Sequence, residues 1–264
     1  MTITNSSNNP QMDTSATISQ KRRFFAWAAP ANFYILSGKL IPWFAIAAVL
    51  LSIAGLYIGF IVAPTDYQQG EVYRIIYIHV PAAWLAMVTY LAMAFWCAVF
   101  LIWKTRVSAI MAQALAPTGA LFAFVALWTG ALWGRPTWGA YWVWDARLTS
   151  TLILLFLYLG FIALRSSIDD ERKADKAAAL LAIVGSINVP IIYFSVKWWN
   201  SLHQGASVSP TMAPKMAQTM LTAMMIMTFA VWCYTIAASL YRARTILLER
   251  EGGKNWLAKI SAKF

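Results

Sequence analysis

The chain has 264 residues, 60% of them hydrophobic and only 12% charged, with a mean hydropathy of +0.59. That composition excludes an ordinary soluble globular domain, in which about a quarter of residues are charged. The net charge of +11 raises nucleic acid as a partner, but the cations sit in short segments between apolar runs, which is the pattern of membrane topology and assigns no nucleic-acid partner.

Residues 1–20 are rich in Ser, Thr and Asn and read as a disordered tail. Lys21-Arg22-Arg23 follow, and residues 22–38, "RRFFAWAAPANFYILSG", mix basic and aromatic groups in a way that suits the inner membrane interface. Residues 1–40 are thus expected to form a cytoplasmic tail with an interfacial segment. The first long apolar run spans 41–62; it exceeds a signal-peptide core and has no clear cleavage site, so it should persist as a helix.

Five more apolar runs follow at 80–103, 115–133, 148–165, 177–196 and 217–241. A span needs about 20 apolar residues to cross the hydrocarbon core. Because lipid offers no partner to free backbone groups, such runs must be helices. The expected fold is all-α: a polytopic membrane domain of six helices over 41–241, followed by a basic cytoplasmic tail, 242–264. Asn188 and Pro190 interrupt the fifth run, where the proline should kink the helix. Cys97 and Cys233 lie inside apolar runs and read as small packing residues. The segment 165–176, "RSSIDDERKADK", has balanced charge and reads as a solvated connector. No G-x-x-x-x-G-K-[ST] loop is present, which excludes nucleotide hydrolysis by that route.

Lys and Arg set the orientation. One side collects Lys21, Arg22, Arg23, Lys39, Lys104, Arg106, Arg165, Arg172, Lys173, Lys176 and the basic C-terminal residues; the other has only Arg74, Arg135, Arg147, Lys197 and Lys215. The positive-inside rule then places both termini in the cytoplasm and the segments 63–79, 134–147 and 197–216 outside.

The outer side also receives "WGRPTWGAYWVWDARLTS", residues 133–150, with Trp133, Trp138, Trp142 and Trp144 around Asp145, Arg135 and Arg147. It receives both histidines of the chain, His79 and His203. A lone interfacial histidine is more often a hydrogen-bonding anchor than a ligand, and a tryptophan near a helix end is usually a belt residue. A belt, however, does not require four tryptophans in one loop interleaved with Gly134, Gly139 and Pro136, nor both imidazoles on one side. Two neutral imidazoles can fill both axial positions of a haem iron. Indole faces cover an apolar porphyrin, and Arg135 or Arg147 can pair with its propionates. Zinc fits worse, for want of cysteines and carboxylates nearby. Without a C-x-x-C-H motif covalent c-type attachment to this chain is excluded, so the expected ligand is non-covalent haem b.

Several alternatives remain open at this level. If 135–145 were helical, Arg135, Trp138, Trp142 and Asp145 would share a face; if 141–144 were extended, Trp142 and Trp144 would point the same way. Asp145 serves either as an N-cap of the fourth helix or as an orienting group for a Trp, Arg or His of the site. Met212, Met216, Met220 and Met224 recur every four residues; methionine can ligate haem iron, but such a stripe is usually adaptable packing. A permease for another hydrophobic or anionic solute is the main rival function, and a b-type electron-transfer subunit a third.

The residues also carry a resemblance. "WGxPxWGxYWxWDxRLTS" at 133–150, "YIHVPAAW" at 77–84 and "KWWNSLHQGASVSP" at 197–210 resemble the WWD signature of haem-handling membrane proteins. With six helices over about 41–245, the chain looks like the cytochrome c maturation protein C (haem exporter protein C) family. The resemblance implies a multi-pass protein of the bacterial inner membrane that acts as a transfer module rather than an enzyme. It implies haem held at the outer face and passed to a periplasmic haem chaperone, CcmE. The implied assembly partners are the small membrane protein CcmD and the ABC transporter subunits CcmA and CcmB. Motif by motif it maps the axial ligands onto His79 and His203, and the haem platform onto Trp133, Trp138, Trp142, Trp144 and Asp145.

Overall fold

The structure is a computed structural model that describes residues 29–199, 201–203, 216–252 and 256. The polar tail, the Lys21–Arg23 cluster, Met212, Lys215 and most of the basic C-terminal tail lie outside the described residues. Among the described residues the secondary structure is helical, with no strand. Six helical stretches are long and apolar enough to cross a membrane, as the sequence predicts.

Helix α1 runs Pro30–Tyr57 and continues through a π-helical turn at Ile58–Val62. It starts eleven residues before the apolar run at Ile41, because Pro30 occupies the first helical position, where its missing N–H costs nothing. A 3-10 turn, Glu71–Ile75, leads into α2, Ile76–Trp103. α3 spans Arg106–Trp138 and α4 spans Ala146–Ser166.

The fifth span, Glu171–Trp198, is interrupted close to where the sequence predicts, with the backbone at Ser186 and Ile187 still right-handed helical. α5, Glu171–Gly185, and α6, Asn188–Trp198, are separated at Ser186–Ile187. Pro190 therefore falls in the first turn of α6, where a proline is tolerated. Asn188 stabilises the break by donating its Nδ2 to the Ser150 carbonyl of α4 at 2.9 Å. α7, Gln218–Glu251, is the sixth span.

α2, α3, α4, α5 and α6 enclose the main core of Leu85, Tyr90, Met93, Phe122, Leu154, Tyr158 and Ile192. Cys97 is buried within it and carries a free thiol, and Cys233 is also free. α7 lies against α2 and α3, and α1 packs mainly on α7, leaving Trp43, Val49, Leu50 and Ile53 exposed on its outer face. Met220 and Met224 are buried beside Tyr73, Tyr77 and Met227 with Met216 packed against them, and Met224 also borders the cavity lined by His79.

The connector 165–176 needs correction. Asp175 has a side chain only 8% exposed and pairs with Arg250 through two contacts of 2.9 and 3.0 Å and with Arg165 at 2.9 Å. Arg250 also donates to Gln113 at 2.8 Å. One buried carboxylate thus ties together α3, α4, α5 and α7. The balanced charge of the segment hid this, since a net sum does not distinguish a solvated acid from a paired one. Asp170 behaves as a connector residue: it caps α5 by accepting from the Lys173 N–H at 2.9 Å, and that bond lowers its carboxyl pKa.

Candidate functional site

His79 sits on α2 one turn inside its start, and its ring reaches α3. Nδ1 is 3.0 Å from Thr129 Oγ1, and that hydroxyl donates to the Val125 carbonyl at 2.6 Å. Close approach of the ring requires Gly130: a Cβ there would lie 3.0 Å from His79 Cε1.

α3 carries the first half of the tryptophan-rich segment. It continues through Trp133 and Trp138 and ends at Gly139, whose φ of 82° is a left-handed conformation that suits glycine. Residues 140–144 then run without helix into α4. The segment is therefore helical to Trp138 and irregular beyond it, so the four tryptophans separate into two pairs. Trp133 and Trp138 face the space beside the histidines. Trp142 and Trp144 pack edge to face at 5.4 Å, with Trp144 78% exposed. The buried Trp142 Nε1 finds no acceptor among the described residues.

Four rings line up at the site. Trp133 meets His79 edge-on at 5.6 Å, His79 lies 6.4 Å from His203 with planes 32° apart, and His203 lies 6.2 Å from Trp138. They border an open cavity between α2, α3, α4 and α6. Its wall also includes Trp84, Met87, Arg147, Leu154 and Met224. The structure thus brings His79, His203, Trp133, Trp138 and Arg147 together. It places Arg135 elsewhere: its guanidinium donates to the Gly139 carbonyl and lies 5.8 Å from the Tyr141 ring.

Asp145 fills the capping role, and its second oxygen bonds Ser201 rather than a Trp, Arg or His side chain. Oδ1 caps α4 by accepting from the Leu148 N–H at 2.7 Å. Oδ2 accepts from the Ser201 hydroxyl at 2.6 Å, and Ser201 Oγ in turn accepts from the His203 N–H at 3.1 Å. One carboxylate thereby fixes the start of α4 and the segment carrying His203. The first outer loop contributes as well: Trp133 Nε1 donates to Gln69 Oε1 at 2.7 Å, and Asp66 folds that loop by accepting from the N–H groups of Gln68 and Gln69.

Sequence reasoning missed Thr129, Gln69 and Ser201. Thr129 sits in an apolar run, where a threonine usually bonds its own helix. Ser201 stands two residues from His203 and was within reach of inspection. Trp84 was present in the quoted motif around His79 but not singled out.

Comparison with known proteins shows the family of the chain. The family model described as "Heme exporter protein C" (CcmC) matches residues 23–258. "Heme exporter protein C" of Escherichia coli K12 is 44% identical over 241 residues, covering 89% of this chain and 95% of the relative. The protein of the same name from Bradyrhizobium diazoefficiens is 45% identical over 223 residues, 84% of each chain. A ccmC-like mitochondrial protein of cytochrome c biosynthesis from Marchantia polymorpha is 52% identical over 159 residues, 60% of this chain and 67% of the relative.

Proposed function

The chain belongs to the heme exporter protein C family, and from that premise we propose that it holds haem b transiently between His79 and His203 and hands it on for cytochrome c maturation. Family membership supports haem handling in that process by a multi-pass membrane protein. The observation that carries the finer reading is the pair of histidine rings in one cavity, 6.4 Å apart. Two imidazoles that share one metal through bonds of about 2 Å bring their ring centroids to roughly 6 to 6.5 Å. The 6.4 Å separation here falls in that range.

The rest of the lining fits the cargo. Trp133, Trp138 and Trp84 offer apolar faces to a porphyrin. Arg147 is the cation at the cavity wall and the better propionate partner, since Arg135 is engaged with Gly139 and Tyr141. Asp145 acts through Ser201 on the position of His203. Trp142 and Trp144 lie beyond the cavity, and the exposed face of Trp144 suits the docking of a periplasmic receiver.

Haem supplies the iron that the two imidazoles would grip; the chain contributes the grip, the apolar walls and the charge for the propionates. Haem held by both His79 and His203 would be disfavoured for oxygen chemistry, in keeping with the transfer role proposed here. Release requires one axial bond to weaken, and a partner supplies that free energy by binding the released state better. The proposed setting is the bacterial inner membrane, with both termini cytoplasmic and the site facing the periplasm. The proposed partners are the haem chaperone CcmE, the small protein CcmD and the transporter subunits CcmA and CcmB. The permease alternative is weakened, because Asn188, its main polar candidate within the membrane, spends its Nδ2 on the Ser150 carbonyl.

The test is the visible spectrum of protein purified in detergent from haem-replete cells. A Soret band should be present in the wild type and lost in His79→Ala/His203→Ala. No band in the wild type, or an unchanged band in the double variant, overturns the reading.

A further inference from the structure

The two ring nitrogens of His79 have different surroundings. Nδ1 lies 3.0 Å from Thr129 Oγ1, and the same oxygen lies 2.6 Å from the Val125 carbonyl. A hydroxyl has one proton to give and two lone pairs to offer. The carbonyl can only accept, so the short 2.6 Å contact uses the hydroxyl proton. Oγ1 is then left as an acceptor toward His79, which requires the proton of the imidazole to sit on Nδ1. Nε2 keeps its lone pair.

The geometry points to Thr129 as a positioning residue of the haem site: it holds His79 in the Nδ1-protonated tautomer and so makes Nε2 the nitrogen that binds iron. Thr129 is buried in α3 and separated from His79 by fifty residues of sequence, so the contact is tertiary. The ring is held on two further sides, by Gly130, whose lack of a Cβ admits Cε1, and by the edge-on contact with Trp133. Histidine ligands characteristically donate their second N–H to a neighbouring acceptor, which fixes the ring and raises the basicity of the ligating nitrogen. A more basic nitrogen favours ferric over ferrous iron, so the hydrogen bond lowers the midpoint potential of bound haem. The inference rests on His79 being an axial ligand.

The experiment uses the full chain in detergent, titrated with haem and followed by Soret absorbance, potentiometry and thermal melting. Thr129→Val keeps the shape and removes the hydroxyl; Thr129→Ser keeps the hydroxyl. Thr129→Val should bind haem about 10- to 100-fold more weakly and with a raised midpoint potential, and Thr129→Ser should match the wild type in both. Thr129→Ala carries the same expectation as Thr129→Val where the latter fails to accumulate. Unchanged affinity and potential in the hydroxyl-free variant, with the Soret band lost in His79→Ala, overturns the role of Thr129 alone. A Soret band that survives in His79→Ala overturns the axial assignment and this inference with it.

Discussion

At the end of the bundle that carries His79 and His203, polar groups meet across loops and helix ends through single hydrogen bonds: Thr129 to His79, Ser201 to Asp145, Trp133 to Gln69. At the opposite end they meet through charge. Asp175 gathers Arg165 and Arg250, Glu251 pairs with Arg106 at 2.5 Å, and Arg244 lies 3.7 Å from the Tyr34 ring. The two ends show a division of labour. The site end is held by hydrogen bonds that reach the histidine-bearing segments from behind: Thr129 bonds one nitrogen of His79, and Ser201 bonds the backbone N–H of His203. An end with no cargo can satisfy its charges internally and lock the helices.

The sharpest way to break that comparison is at the ionic end. Removing one member of a buried ion pair leaves the others uncompensated, at a cost of about 3–5 kcal/mol. Asp175→Ala strands Arg165 and leaves Arg250 with only Gln113 and a longer contact to Glu171, so a loss toward the lower end of that range is expected in thermal or denaturant unfolding. The Soret absorbance per folded molecule should not change. A lowered haem content in the folded fraction would mean that the two ends are not separable.

The converse experiment is at the site. His203→Ala should leave the melting curve near that of the wild type, because the residue is only half-buried and belongs to none of the hydrophobic core clusters. Haem binding should fall by at least about tenfold, the lower range for lost support of a metal site. Added imidazole should restore part of the band, since it can re-enter the emptied axial position.

Asp145 sits between the two behaviours because its two oxygens serve different ends. Loss of the cap on α4 costs about 1 kcal/mol, and loss of the Ser201 contact loosens His203. Asp145→Ala should therefore lower both the melting temperature and the haem affinity. Ser201→Ala, which spares the cap, should lower affinity alone. Equal effects of the two variants on melting would show that the cap is not what Asp145 contributes to stability.

The extent to which the sequence already displayed this arrangement differs by feature. The six spans and the shared side of His79, His203 and the tryptophan-rich segment were legible, because hydropathy and charge bias act over whole segments. The start of α1 at Pro30 was not, since an apolar-run reading stops where polar residues begin and a helix need not. The separation of Trp133 and Trp138 from Trp142 and Trp144 depends on where α3 ends, and that is set by one glycine among several. Asp175 was hidden because burial of a charge depends on its tertiary partners. Thr129 was hidden for the same reason, its partner lying fifty positions away.

The smallest expected effect tests how far the weak-bond support extends. Gln69 lies in the first outer loop and accepts from Trp133 Nε1 at 2.7 Å, and Trp133 in turn meets His79 edge-on. A single neutral hydrogen bond contributes about 0.5–1.5 kcal/mol net. Trp133 is only half-buried, so water can replace the lost partner. Gln69→Ala should therefore weaken haem binding by a few-fold at most, below the loss expected for Thr129→Val, and leave melting unchanged. Gln69→Glu, which keeps the acceptor, should behave as the wild type. If Gln69→Ala instead equalled Thr129→Val, the indole of Trp133 would have to be setting the position of His79 as strongly as the direct bond from α3 does. The first loop would then belong to the site as fully as the tryptophan-rich segment.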